Sequence, residues 1–409
     1  KTVILKTFRN TQNINSTATS SYNNLTIICL TSLSMNSQQY QETVPSFYKY
    51  QVWVFKLIGL WTLPEKTAKK FQLIYMIHFC HIFFCWILIF IASQFIQFII
   101  NIAHIDEVIK IFFMFATMLA VLAKLFTIKM KSKQYQELID NMHQQPMFRP
   151  ENASEVQFLM QSEQKTRRVR NGYCLLSLFA LNSIFVPQYF IDNTKLPLSV
   201  YIPFSMETKL RYNLVYFHQF ISVTMCCYFN IAFDSISSSM LIFAMAQLDI
   251  LRERIRHLDI RSQGEDNETI HLKLHKCILN HGQILKLANM IEDQLKFPVS
   301  IQIFCSILVL IANFYAMSII IEPNDYTNLT MFLSYQICML VQIFIIFFYS
   351  NEVTLKSSQL SYALYTSNWI TWNRPNRKLL LLMMLQFDTP IRIRGIVKFF
   401  KKIFFIFAL

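Results

Sequence analysis

The chain has 409 residues, 54% of them hydrophobic and 15% charged, with 38 Phe against 5 Gly and a net charge of +14. A chain this apolar at this length is suited to lipid rather than water, which excludes an ordinary soluble domain. Its basic residues flank apolar runs, so the charge points to a membrane surface and not to nucleic acid.

Residues 1–34 begin with Lys, are rich in Asn, Ser and Thr, and stop just before Met35. The stretch "LTIICL" within them is too short for a signal-peptide core, so they read as a non-native or disordered extension ahead of a start at Met35. Residues 35–70 form a cytosolic N-terminal segment. Six apolar runs then follow within 71–350: Phe71 to Ile100, Ile105 to Ile128, Tyr173 to Ile191, Asn213 to about Ser238, Phe297 to Ile321, and Met331 to Ser350. A hydrocarbon core of about 30 Å takes about 20 helical residues, so each run is long enough to cross it. Lipid offers no partner to backbone N–H and C=O groups, and the runs lack the period-two alternation of a barrel. The expected fold is therefore an all-α polytopic membrane protein.

Lys and Arg alternate strictly along the loops. Five lie between Met35 and Lys70, none in 101–104, eight from Lys129 to Arg170, three from Lys195 to Arg211, eight from Arg252 to Lys296, and none in 322–330. Positive loops stay in the cytosol, which places the N-terminus inside, opposite to a G-protein-coupled receptor. The sequons at Asn152 and Asn267 then fall inside, and the one at Asn328 outside.

Helical extensions continue below the membrane over 247–296. Leu248, Leu251, Ile255 and Leu258 mark one apolar stripe, and Leu274, Ile278, Leu285 and Ile291 a second. Such stripes pack on each other within one subunit or form a subunit interface, and the pattern alone leaves both open. His271 and His275, with His281 nearby, have the spacing of a metal pair but no HExxH frame, so a solvated helix face is expected and no metal. The nine cysteines form no CxxC pair and mostly sit in apolar runs, where Cys acts as a small hydrophobe. No Walker A, GxSxG or kinase set is present, so neither an enzyme nor a cofactor is expected.

Residues 351–395 form a cytosolic anchor region and the first half of a seventh helix; within them a helix opens at Arg377 and a turn follows at Asp388 to Pro390. The final run, "IVKFFKKIFFIFAL" over 396–409, rises only about 21 Å and carries Lys398, Lys401 and Lys402. A truncated or incomplete seventh helix is expected there; the alternative is a short basic helix lying at the cytosolic interface.

Four stretches resemble the insect odorant receptors: "FKLIGLWTLPE" (55–65), "LPLSVYIPFSMETKLRYNLVYFHQF" (196–220), "HKCILNHGQILKLANMIEDQLKF" (275–297) and "SYALYTSNWITWNRPNRKLLLLMMLQFDTPIRIR" (361–394). The resemblance runs from Phe47 to about Gly395. It implies a ligand-gated cation channel in the plasma membrane of sensory neurons, built as a heterotetramer with a shared odorant co-receptor subunit. It also implies cytosolic helices packed between subunits and a last helix lining the pore, the part expected to be missing here. A gustatory receptor-like channel or a membrane transporter is the alternative; so few glycines argue against the transporter.

A site for a small apolar volatile should be aromatic and aliphatic with a few polar groups. In the outer halves of the second, third, fourth and sixth spans the candidates are Phe112, Phe113, Phe115, Phe185, Tyr189, Tyr216, Phe217, Phe220, Phe332 and Tyr335. In a membrane helix such aromatics more often serve packing or lipid contact, and near the ends they often form the interfacial belt. Tyr189 and Tyr216 can also orient a ligand oxygen. Asp234 is the one carboxylate inside a span; the serines of "FDSISSS" could satisfy it locally. Lys124, near the inner end of the second span, can snorkel.

Overall fold

The computed structural model describes residues 46–64, 67–191, 196–206, 208–260, 267–320 and 326–393. The expectations for 1–34 and 396–409 concern residues outside this set. Every regular element among the described residues is helical: α1 (Lys49–Ile58), α2 (Lys69–Ile100), α3 (Ile105–Gln144), α4 (Ala153–Ile191), α5 (Lys209–Ile260), α6 (Asn267–Tyr315), α7 (Tyr326–Tyr365) and α8 (Arg374–Phe387). Six of them, α2 to α7, are long and apolar enough to cross a membrane.

Most of these helices outrun the bilayer, because each apolar run joins an amphipathic segment of the same period. The 52 residues of α5 reach about 78 Å, far more than a hydrocarbon core needs. The surplus of α3 to α7 collects at one end, here termed the extension end; the segment 196–206 marks the loop end. α3 breaks helical geometry at Lys131 (φ −108°, ψ 16°), close to where its apolar run stops.

α5 is the axis of the bundle. Its most apolar stretch is 100% buried, whereas those of α2, α4 and α7 are 28–33% buried within the chain. Helices α1, α3, α4, α6 and α7 all pack on it. Ser235, Ser237, Ser238, Ser239, Ala244 and Ala246 are buried along it and let neighbours approach closely. Three of those serine hydroxyls donate to carbonyls about one turn back, Ser237 to Phe233 (2.8 Å), Ser238 to Ser235 (3.1 Å) and Ser239 to Ser235 (2.5 Å).

α1 is wedged against the middle of α5. Its apolar face buries Val54, Phe55 and Ile58, with Phe47 ahead of it; Phe47 meets Phe243 edge-on and Phe55 meets Phe229. Gln51 Nε2 donates to Ser239 Oγ at 3.1 Å. The helix ends at Gly59 in the left-handed region (φ 85°), where an added Cβ would lie 2.8 Å from Phe79 Cβ. Glycine alone satisfies both the backbone and the contact.

At the extension end the apolar stripes are buried inside one chain. Leu248, Leu251, Ile255 and Leu258 are all covered. On α6 the covered stripe is Ile270, Leu274, Cys277, Ile284, Ile291 and Leu295, and Leu285, assigned to it from sequence, is 38% exposed. Stepping by four and then three keeps the stripe on one face, and Leu285 falls just off it. Arg254 clamps α5 to the α3–α4 connection, pairing with the buried Glu155 at 2.9 Å and donating to the carbonyls of Met147 (3.0 Å) and Arg149 (2.8 Å). Burial works against its charge, but the bonds and charge of Glu155 outweigh that and raise its pKa.

α8 opens at Arg374, three residues before the sequence-based start. Asn373 caps it, its side chain accepting from Asn376 N–H at 3.0 Å, and Pro375 fits the first turn. Asn376 also donates to the Asn267 carbonyl (2.8 Å), which ties α8 to the start of α6. His281 is not on a solvated face: it is 2% exposed, its ring lies 4.2 Å from that of Phe387, and burial pushes its pKa down to about 4.

Candidate ligand-binding site

Midway along the spans, four helices each turn one stripe toward a common point. α3 contributes Met114, Thr117, Met118 and Val121; α4 contributes Tyr173, Ser177, Ala180 and Ile184; α5 contributes Val223, Cys226 and Asn230; α7 contributes Tyr335, Cys338, Met339 and Gln342. Each set follows the three-and-four spacing that keeps side chains on one helix face. They enclose a cavity of about 70 Å³.

Its floor, formed by Tyr173, Asn230 and Gln342, rests on an ion pair inside the membrane-spanning region. Lys124 Nζ lies 2.6 Å from Asp234 Oδ1, with 0% and 3% of the two side chains exposed. Lys124 also donates to Asn230 Oδ1 at 2.6 Å, and its Nζ lies 5.1 Å from the centre of the Phe233 ring. Tyr173 Oη donates to Asp234 Oδ2 at 3.3 Å, and Gln342 Nε2 donates to the same oxygen. One carboxylate thus gathers α3, α4 and α7 around α5. Neither charge would be tolerated alone at this depth; together, with their remaining hydrogen bonds made, they compensate each other.

Lys124 therefore does not snorkel, and Asp234 is satisfied across helices rather than by the serines that follow it. Tyr173, Asn230 and Gln342 belong at once to this network and to the cavity wall. Higher up, Thr117 and Tyr335 share a hydroxyl hydrogen bond of 2.5 Å, and Ser177 and Cys338 a contact of 3.4 Å. Apolar walls can hold a carbon skeleton while the floor orients one polar group.

The family model described as 7tm Odorant receptor matches residues 104–402. The chain belongs to the odorant receptor family. The chain is 36% identical to Odorant receptor 46a, isoform B, of Drosophila melanogaster over 84% of its own length and 89% of the relative's. It is 24% identical to Odorant receptor 94a of the same fly, over 84% and 88%. In fold it is similar to the insect olfactory receptor OR5 from Machilis hrabei, with a TM-score of 0.73, 14% identity and coverage of 84% and 88%, and to that receptor in complex with eugenol, with a TM-score of 0.75 at 14% identity over 87% and 92%. This odorant receptor is thus a multi-pass membrane receptor and not an enzyme, and the gustatory and transporter readings are not favoured.

Of the aromatic residues singled out from the sequence of this odorant receptor, Tyr335 lines the cavity. Phe113 stands edge-on behind it at 5.2 Å and meets Phe332 at 5.4 Å. Phe112 and Phe115 turn toward α2, against Phe98, and Phe115 also stacks on Phe95. Phe185, Tyr216 and Phe220 cluster between α4 and α5 nearer the loop end, where Tyr216 Oη donates to the Phe185 carbonyl at 3.0 Å. Tyr189 touches Tyr216 but is 43% exposed, and Phe217, 56% exposed, faces outward. The methionines, cysteines and amides of the cavity escaped sequence reading, which looked for aromatic stripes; the convergent three-and-four stripes of all four helices were the available signal.

Proposed function

We propose that this odorant receptor is the ligand-recognising subunit of an odorant-gated cation channel, assembled as a heterotetramer with a shared co-receptor in the plasma membrane of sensory neurons. The observation that carries the reading is the enclosed apolar cavity standing on the Lys124–Asp234 network. Its ligand is a small, mainly apolar volatile with one polar group, the skeleton against Met114, Met118, Val223 and Met339 and the polar group toward Tyr173, Asn230 or Gln342. That OR5 has been solved with eugenol supports a small-molecule site in this fold.

At 70 Å³ the cavity is well below the roughly 300 Å³ at which ligand pockets usually begin, so binding has to spread the helices around it. Methionine suits this, because its unbranched side chain repacks at little cost. The spreading displaces α7, which carries Gln342 in the floor and Lys356 lower down. Lys356 pairs with Asp249 of α5, and α8 packs on α7. A ligand is in this way coupled to the extension end, where Leu381, Leu382 and Leu385 on α8 are exposed at 56–72% and await a neighbouring subunit.

The extension end is cytosolic in this reading, because the loops richest in Lys and Arg lie there. The aromatic cluster of Phe185, Tyr216 and Phe220 then lies on the outer side, between the cavity and the extracellular loop. The test is co-expression with the co-receptor and recording of currents during application of small volatiles. A ligand-evoked current that needs both subunits is expected; a current from this chain alone, or a well-expressed pair silent to a broad panel, contradicts the proposal.

A further inference from the structure

A second cavity, of about 330 Å³, lies at the loop end where α2 passes α5 beneath the segment 196–206. It is several times larger than the cavity inside the bundle and falls in the range of known ligand pockets.

Local backbone geometry builds it. α2 runs in π register over Ile82–Leu88, so Ile89 N–H bonds Phe84 O and the Cys85 carbonyl is open to a side chain. His218 Nε2 takes that place at 2.9 Å, and Trp86 stacks on the same ring at 5.4 Å. The loop above is pinned twice: Tyr201 N–H donates to Ser93 O at 3.1 Å, and Gln219 Nε2 donates to Leu198 O at 3.0 Å. π turns inside α-helices recur at functional sites because they widen a helix and expose its backbone in this way.

These bonds decide what the cavity presents. The Cys85 and Leu198 carbonyls only accept, so the His218 and Gln219 nitrogens facing them must be the donors. That leaves Oε1 of Gln219 as an acceptor, and among the described residues Oε1 of this 1% exposed glutamine has no hydrogen-bond partner. The Ser93 hydroxyl is already donated to Phe90 O. The rest of the wall is mainly apolar, and its rim residues Ile89, Phe204 and Leu214 are 49–60% exposed on the outside of the bundle.

We propose that this cavity is a second ligand site, reached sideways from the lipid, for a small apolar molecule bearing one hydroxyl. The hydroxyl donates to Gln219 Oε1 and the chain or ring lies along Phe90, Val200 and Pro203. The shared chemistry is an apolar alcohol, whose source is either a membrane sterol or a volatile. The proposal does not depend on what fills the cavity inside the bundle.

The experiment uses the full chain with its co-receptor in lipid nanodiscs and a diazirine-bearing octanol as photolabel, with labelled residues read by mass spectrometry. Labelling is expected on α2 near Ser93 and on α5 near Leu214, competed by 1-octanol and not by octane. Gln219→Met, which keeps the side-chain length but removes the acceptor together with the bond to Leu198 O, should cut labelling by about tenfold. Ile89→Trp, at the lipid-facing rim, should also cut it without touching that bond. A diazirine-bearing cholesterol labelling the same residues, with octanol unable to compete, assigns the site to the membrane sterol and keeps the hydroxyl chemistry. Equal competition by octane, or labelling confined to Tyr335 and its neighbours, overturns the proposal.

Discussion

At the scale of single residues, Lys124 and Asp234 carry the most consequence. Lys124→Met or Asp234→Leu alone leaves one buried charge unmatched and should destabilise the chain by about 3–5 kcal/mol, whereas the double substitution should recover most of that. Thermal unfolding of the detergent-purified chain measures both, and a double variant as unstable as the singles would show that the pair is not the unit. His281 makes a pH-dependent contribution at the other end. Its folded pKa of about 4 lies below an unfolded value of about 6.5. Between these limits the unfolded chain binds a proton that the folded chain does not, so stability is full above pH 6.5 and falls toward pH 4. The unfolding midpoint should drop from pH 7 to pH 5, and His281→Phe should shrink that drop; an equal drop in both would remove His281 as its source. Asp234 was legible in the sequence as an acid inside a span. Its partner was not, because Lys124 sat close enough to the end of its own run to pass for a snorkelling residue, and only the meeting of α3 with α5 shows otherwise.

At the scale of elements, helix existence followed from apolar length and period, and the six spans lie where those signals place them. The extensions were harder. Leu285 was assigned to the covered face of α6 because it is a leucine at nearly the right angle, while Cys277 and Ile284 hold the place. The start of α8 moved three residues earlier because Asn373 and Pro375 form a cap, a signal present in the sequence. Gly59 joins α1 to the loop before α2 and has no freedom to change. Gly59→Ala should cost at least about 1–2 kcal/mol from the left-handed backbone alone, with the clash against Phe79 added to it. A Gly59→Ala protein that melts within a degree of the parent would contradict the close approach of Gly59 to Phe79 of α2.

At the scale of the whole molecule, fold class and family were legible, the first from composition and run length, the second from motifs distributed over most of the chain. The site was legible only in part. Aromatic residues mark where lipid, interface and ligand surfaces can be, but the cavity is built from medium-sized side chains whose importance lies in convergence, and convergence is a property of four helices together. The central claim is that ligand is recognised inside this cavity. Ala180, 4% exposed on its α4 wall, gives the most direct test, because a larger side chain there occupies the space a ligand needs. The measurement is the odorant dose–response of Ala180→Trp against the parent, each co-expressed with the co-receptor and matched for protein at the cell surface. The account predicts a response lost or shifted at least tenfold to higher concentration, by roughly 1.4 kcal/mol or more, with basal current retained. An unchanged dose–response at equal surface level would place recognition elsewhere in the molecule.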